Sequence, residues 1–355
     1  MGDPMEAPPL VEEEPRRSQR GDNAVLPECW RKLGVALESA GSQADAIGAL
    51  STSVDLLRRN QGHSSSVQFA DGLANAFKSL GIGLKNASRY EEALQAYAEG
   101  LKIRETLPPG CNRQDWLSAA AWLHSNRARV FEDMKDYPSA IKAQRAAIEI
   151  HRRLFRESKT RERTEHLCDS IANLSLTHQK VGRYSESLTL TAEAIELRKT
   201  MPEGCNRAEW LANIAWLHLD RSETFRKDGR FEEAIQEVRR AEPLIRRIDA
   251  PASRKLVTGV LAMCCKEKAA ALKGFERHEE SRLAQEEEAM HRRLLFRMEA
   301  TPERARDLAE ALDRLSECWV LAQQDTLAST AKQEANDLRS RIPAAFAPST
   351  KIPND

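Results

Sequence analysis

Two short clusters in the sequence have residue types that could do chemistry, and each lacks a group that the chemistry needs. The run His278-Glu279-Glu280 begins like a zinc-protease motif, but no second His follows one helical turn later to complete a metal site. His166 and Cys168 could act as a base and a nucleophile. Residues two apart on a helix point in different directions, however, so the pair cannot cooperate. We therefore predict no catalytic residue, no metal site and no cofactor.

Two further features have a structural explanation that fits better than a functional one. His124 and His218 occupy equivalent places in a duplicated segment, but other units have aromatic or aliphatic residues at that place. We interpret them as partly buried packing histidines. The segment Gly81-Ile82-Gly83 lacks the third glycine and the preceding strand of a phosphate-binding loop.

The charge of the chain argues against an electrostatic partner. The 355 residues include 54 Lys and Arg and 54 Asp and Glu, so the formal net charge is zero. A neutral chain has no bulk attraction to phosphate backbones or anionic membranes, and we expect neither nucleic acid nor membrane as a partner.

The termini and the cysteines indicate a cytoplasmic protein. The first residues are acidic and proline-rich where a signal peptide would need an apolar run. The apolar stretch at residues 256–265 is about half the roughly 20 residues of a membrane span. The seven cysteines are odd in number and form no C-x-x-C pair, which favours reduced thiols.

Internal repetition dominates the sequence. Residues 107–131 and 201–225 nearly copy each other at an offset of 94, and halving that offset reveals a period of 47. Three columns of small residues follow this period, and only Glu288 breaks them. The columns are Gly34, Gly81, Ala128, Ser175, Ser222, Ala269 and Ser316; Ala46, Ala93, Ala140, Ser187, Ala234, Ser281 and Ala328; and Ser53, Gly100, Ala147, Ala194, Ala241, Glu288 and Ala335.

Such columns are typical of stacked helices. Small side chains at fixed places let two helices approach closely, while the larger residues between them fill the remaining volume. The composition agrees, because 30% of the residues are charged and only 5% are aromatic, as in helix-rich chains. The sequence therefore predicts an all-α fold.

The spacing Trp30-x-x-Leu33-Gly34-x-x-Leu37 resembles the tetratricopeptide repeat, and the match continues from Phe77 in the second unit. The resemblance implies a right-handed superhelical α-solenoid of about seven helical hairpins. The family's usual unit has about 34 residues, and we expect the 13 extra residues of each unit here to lengthen the first helix of the next pair. HEAT-type repeats, whose period is also near 47, are the structural alternative.

The period also sets the expected boundaries. We expect the array to span residues 27–342, with units beginning near residues 27, 74, 121, 168, 215, 262 and 309. Segment 1–26 is rich in proline and charge and segment 343–355 is rich in proline, and we expect both to be disordered.

In the family that this chain resembles, the first helix of each pair lines a concave groove that receives partner peptides. Carried over, this makes eight residues candidates for the groove: Arg31, Lys78, Ile82, Trp122, Asn126, Arg129, Trp216 and Glu223. Aromatic and Arg side chains are the usual anchors of interfaces, which favours Trp122, Arg129 and Trp216. The alternative is that both tryptophans pack against neighbouring repeats.

Some members of the family clamp a terminal carboxylate with Lys, Asn and Arg side chains. Lys78 and Asn126 match that pattern in type and place, but Ile82, Ala172 and Leu176 stand where its other polar residues should be. We therefore expect no preference for a terminal carboxylate.

These observations favour a non-catalytic scaffold or adaptor that binds a partner protein or peptide. The alternatives are a regulatory or self-assembling subunit, including a homo-oligomer, and an RNA-binding helical repeat. An enzyme of unrecognised type has no supporting constellation.

Overall fold

The computed structural model describes residues 16–60, 66–199 and 204–342, and in these ranges short turns join consecutive α-helices. The described residues form fourteen α-helices, paired as seven hairpins, as the sequence predicted. The hairpins are, in order, α1 Arg16–Ser39 with α2 Gln43–Asn60, α3 Val67–Asn86 with α4 Tyr90–Glu105, α5 Arg113–Asp133 with α6 Tyr137–Glu157, α7 Arg161–Lys180 with α8 Tyr184–Leu197, α9 Arg207–Lys227 with α10 Phe231–Arg246, α11 Arg254–Gly274 with α12 His278–Met298, and α13 Pro302–Leu321 with α14 Asp325–Ser340.

The three small-residue columns lie at the helix contacts, and every residue in them is buried. A Cβ added to Gly34 would lie 2.5 Å from Leu50 Cγ, so the two helices of hairpin 1 meet there without room for a side chain. Five of the six serines in these columns donate their hydroxyl to a carbonyl of the facing helix, as from Ser222 to Ala234 at 2.9 Å and from Ser316 to Ala328 at 2.9 Å. Close packing of small residues thus holds each pair together.

The turn inside each hairpin also repeats. One residue in the turn of each hairpin has a positive φ, and these residues recur every 47 positions: Gly41, Ser88, Lys135, Gly182, Gly229, Glu276 and Gln323. The following residue donates its N–H to a carbonyl near the end of the first helix, as from Arg230 to Phe225 at 2.8 Å. This is the usual left-handed helix ending.

The chain divides into two compact units, Met1–Glu157 and Ser158–Asp355. The first unit contains hairpins 1 to 3, whose core includes Phe77, Tyr97 and Leu123. The second contains hairpins 4 to 7, with apolar clusters around Ile245 and Leu312. The division falls between two hairpins because each hairpin of a repeat array packs on its neighbours alone.

Two boundaries differ from the sequence-based expectation. Helix α1 begins at Arg16, inside the segment that we expected to be disordered up to residue 26, and Pro27 lies within the helix with its carbonyl accepting from Ser53 Oγ at 2.7 Å. The first helices begin some seven residues before the expected unit starts, as α3 does at Val67, because the extra residues of the long repeat extend them at their N-termini. Residues 1–15 and 343–355 lie outside the described residues.

In the portion of the chain that the structure covers, no helix has the length and apolar character required to cross a bilayer.

Candidate functional site

The first helices of the first unit present one face that carries six of the eight predicted residues. Helix α3 packs against both α1 and α5, so residues one repeat apart stack along this face. Arg31 and Lys78 lie at the same position of consecutive repeats, and Arg129 lies one repeat beyond Ile82. Arg129 and Trp122 are exposed, whereas Ile82 packs against the core of the unit. Ile82 is therefore poorly placed to contact a partner.

A positive region surrounds Lys78 on this face. Lys78 is partly buried, and burial lowers its pKa, as do the nearby charges of Arg31 and Arg104, against the opposing effect of Asp71. Arg31 is paired with Glu28 at 2.6 Å and Arg104 with Asp71 at 2.7 Å. Asn126 is half-buried. The ammonium of Lys78 is the charge with the least compensation in this region, because its two cationic neighbours have partners of their own.

The tryptophans of the duplicated segments divide into two structural classes. Trp116 and Trp210 are buried, and each indole N–H donates to a carbonyl of the preceding hairpin, that of Arg104 at 2.9 Å and that of Arg198 at 3.0 Å. Trp122 is 44% exposed and Trp216 is 38% exposed. Trp116 and Trp210 thus pack between repeats, whereas much of the surface of Trp122 and Trp216 is exposed to solvent.

In the second unit, Trp216 lines a cleft of about 710 Å³ formed by α9, α11, α12 and α13. Leu256 and Met263 of α11 extend its apolar wall. Gly259 leaves it open, since a Cβ there would have no neighbour within 4 Å. The charged lining consists of Lys255, Lys266, Arg292, Arg304 and Arg314 against Asp307 and Glu310. A cleft with an aromatic wall and an excess of cations can hold an apolar side chain beside anionic groups.

Arg292 is the most deeply buried cation of the cleft. Its Nη1 donates to Asp307 Oδ2 at 2.8 Å, and its Nη2 is 3.2 Å from Met263 Sδ, a weak acceptor. Its Nε has no hydrogen-bond partner but lies 3.7 Å from Glu288 Oε1. Its Nη2 is therefore the donor that the surrounding protein satisfies least, because its acceptor is a sulfur.

Glu288 lies behind the cleft and explains the one break in the small-residue columns. Its side chain is fully buried, and Arg314 Nη2 donates to Glu288 Oε1 at 2.7 Å while Arg292 Nε lies 3.7 Å from the same oxygen. The sequence analysis did not predict Arg292, Arg304 or Arg314 as binding residues. The charge at a position that is small in every other repeat is the signal that could have found them.

Glu223 lies in an acidic cluster on α9 and α11, and it pairs with Lys227 at 3.0 Å. Burial raises the pKa of the neighbouring Asp220 to about 6, with further increases from the charges of Glu223 and Glu267. The pKa of Glu267 is raised too, by burial first and by Glu223, although Arg226 opposes the shift. Glu223 is outside the lining of the cleft that contains Trp216.

The cysteines have the environment of structural thiols. Burial raises the pKa of Cys168 to about 11 and that of Cys264 to about 12, the reverse of what a nucleophile needs. Cys168 Sγ donates to the carbonyl of Ala194 at 3.7 Å. All seven cysteines are free thiols. In the described ranges, no group of three His, Cys, Asp or Glu residues could hold a metal ion.

The histidines singled out by the duplication have different surroundings. His218 Nδ1 lies 2.6 Å from Glu237 Oε2, and Glu237 is buried beside Arg221 and Arg240. Burial by itself raises the pKa of Glu237, but the hydrogen bond to His218 and the charges of the two arginines outweigh it, so the pKa is lowered. Burial lowers the pKa of His124, and the charge of Arg127 adds to the effect. The two positions share their place in the repeat without sharing partners.

A tetratricopeptide repeat family matches residues 167–201, which contain most of α7 and all of α8. The chain is an array of tetratricopeptide-like repeats. The matched stretch corresponds to the unit expected to begin near residue 168, and Arg161, where α7 begins, lies before it. The extra residues of the 47-residue repeat therefore lie outside the part that the family describes.

Solved structures show the same fold at low sequence identity. A signal transduction ATPase from Pyrococcus horikoshii with a tetratricopeptide repeat sensor is 12% identical, with a TM-score of 0.58 over 92% of this chain and 46% of that chain. A tetratricopeptide repeat protein from Parabacteroides merdae is 10% identical, with a TM-score of 0.51 over 88% and 93% of the two chains. BtubC (BKLC) from P. vanneervenii is 17% identical, with a TM-score of 0.50 over 64% and 84%. A comparison with curated proteins found no match.

Proposed function

We propose that this tetratricopeptide-like array is a non-catalytic scaffold or adaptor, which binds a partner protein through the exposed faces of its first helices. The observation that carries the proposal is the exposure of Trp122 and Trp216 at equivalent positions of two repeats, in a fold whose other duplicated tryptophans are buried. Exposed aromatic side chains cost solubility, and interfaces use them as anchors.

Three features of the faces support this proposal. Trp122 lies on the same helix as Arg129, so one face offers an aromatic and a cationic anchor. Trp216 lines a cleft large enough for a side chain of a partner. The tetratricopeptide fold is one that generally mediates protein interactions, and the similar ATPase from Pyrococcus horikoshii has its repeats as a sensor.

The experiment is affinity capture from native lysate after chemical crosslinking, with the partner identified by mass spectrometry. We expect a reproducible protein partner that is lost with Trp122→Ala/Arg129→Ala or with Trp216→Ala. Leu283→Ala is the matched control, because Leu283 is also an exposed apolar residue, but on a second helix. A partner retained by both groove variants and lost in the control would show that the first-helix faces are the wrong surface.

A self-assembling subunit is the second candidate, and one feature of the last hairpin favours it. Val320 is 56% exposed, Leu321 is 64% exposed and Leu327 is 44% exposed, around the turn between α13 and α14. Terminal repeats of soluble arrays usually present a polar outer surface. Light scattering on the full chain separates the candidates, because a dimer that Leu321→Glu converts to a monomer would favour self-assembly.

A further inference from the structure

The cleft in the second unit has three properties that together restrict what it can bind. It is open at Gly259, it has an apolar wall of Trp216, Leu256 and Met263, and its charged lining has five cations against two carboxylates. Three first helices of hairpins contribute to it, α9, α11 and α13, and the resemblance to the tetratricopeptide family implies that first helices form the binding face.

The charges differ in how far the protein already satisfies them. Lys255 is paired with Glu299, and Arg314 is paired with Glu288 at 2.7 Å. Lys266 and Arg304 form no ion pair with any residue that the structure describes, and both line the cleft. Since the cations outnumber the acidic groups of the lining, a ligand with carboxylates would complement them.

Arg292 strengthens this conclusion because it is 8% exposed and incompletely bonded. Its Nη1 is bonded to Asp307 and its Nε lies 3.7 Å from Glu288 Oε1, but its Nη2 faces only the sulfur of Met263 at 3.2 Å. A buried guanidinium with an unmade hydrogen bond is costly, and a carboxylate oxygen is the acceptor that suits it best. The apolar wall next to it excludes a ligand that is charged throughout.

We infer that this cleft binds an acidic segment of a partner protein that carries an aromatic or long aliphatic side chain. The apolar side chain packs on Trp216 over the opening at Gly259, while acidic residues on either side of it meet Arg292, Arg304 and Lys266. This assignment rests on the proposed scaffold function and specifies the chemistry of one partner. An RNA strand would stack a base on Trp216, but the zero net charge of the chain and the aliphatic part of the wall, Leu256 and Met263, favour a protein ligand.

The closing experiment selects peptides from a random phage-displayed library on the immobilised full chain. We expect the enriched peptides to have an aromatic or aliphatic residue flanked by Asp or Glu. A synthetic copy of an enriched peptide is then titrated into each protein by calorimetry. Binding is expected to weaken with added NaCl, because the contacts are ionic in part.

Gly259→Phe is the decisive variant. The site is helical and has no atom within 4 Å of a new Cβ, so the ring fills the cleft without removing any contact, and we expect an affinity loss of about tenfold or more. Gly72→Phe in α3 is the matched control, since Gly72 is also helical with no atom within 4 Å of a new Cβ, and this variant should bind the peptide like the wild type.

A second variant tests the charges of the cleft. Lys266→Glu/Arg304→Glu should lose affinity for the acidic peptide and gain affinity for a copy of the peptide in which the acidic residues are replaced by basic ones.

Four results would overturn the inference. Peptides that bind Gly259→Phe as well as the wild type would place the site elsewhere and leave the scaffold function standing. Enriched peptides without acidic residues, or no enriched peptide at all, would refute the chemistry assigned to the ligand. The scaffold function is decided separately, by the capture experiment with Trp122→Ala/Arg129→Ala. Binding of a uridine oligonucleotide that Gly259→Phe blocks, without binding of the acidic peptide, would assign the cleft to RNA.

Discussion

Burial controls the reactivity of individual side chains in this protein. Asp220 illustrates this control because it occupies a position where two other repeats, at Asn126 and Asn173, have the neutral amide. Its pKa is raised to about 6, so the folded state resists its ionisation. A carboxylate at that position is a source of instability near neutral pH.

We predict that Asp220→Asn stabilises the protein by about 2 kcal/mol at pH 7.5. Because the folded-state pKa is raised above the ordinary value of 3.8, the contribution of Asp220 is fully present below that pH and is lost as pH rises through about 6. Urea unfolding of both proteins between pH 4 and pH 8 measures the difference, which should be near zero at the acid end. A difference independent of pH would refute the assigned cause.

The thiols give a second prediction at this scale. Cys29 is exposed, whereas Cys168, Cys264 and Cys265 are buried with raised pKa values. Under native conditions we expect a maleimide reagent to modify Cys29 well before these three, because the thiolate is the reacting species. Mass spectrometry of labelled peptides over time tests the order, with guanidinium-unfolded protein as the control in which all four react.

At the scale of elements, the hairpin turn is the repeated device. The left-handed residue is glycine at Gly41, Gly182 and Gly229, but Lys135 has a φ of 61° and Gln323 a φ of 56°. A side chain with a Cβ is strained in this region, whereas glycine is not. Four hairpins thus carry a small conformational cost at their turn.

We expect Gln323→Gly to stabilise the protein by about 1 kcal/mol, because it relieves that strain at an exposed position. Gly229→Ala is the reciprocal change and should destabilise by a similar amount, since it imposes the strain on another hairpin. Thermal unfolding of the two single variants checks both signs. The idea fails if they shift the transition in the same direction.

At the scale of the whole molecule, each hairpin is stabilised by its neighbours, so damage should remain local. Glu288 is the best place to test this, since its carboxylate is buried between Arg292 and Arg314 in the second unit. Removing one partner of a buried ion pair leaves charge without compensation.

We therefore predict that Glu288→Ala destabilises the second unit by about 3 kcal/mol, although alanine matches the other repeats at this position. Hydrogen exchange followed by mass spectrometry should show faster exchange in α12 and α13 and unchanged exchange in α3 and α4, which belong to the first unit. Equal acceleration in both units would mean that the chain unfolds as one cooperative body.

The sequence by itself determined the helices, their pairing and the close contacts. Burial of a small residue in each repeat constrains the same position every 47 residues, so that constraint is visible as the columns through Gly34, Ala46 and Ser53. The predicted candidates also included Trp216, which lines the cleft, since its duplication marked it.

Only the tertiary structure decided which tryptophans are buried, that Ile82 packs inward, and that Arg292, Arg304 and Arg314 converge on one cleft. These facts depend on three or four helices that are distant along the chain. Periodicity reports the environment that every repeat shares, whereas a site is made from the residues in which the repeats differ. Their meeting in space is fixed by packing and has no signature in the spacing of any one helix.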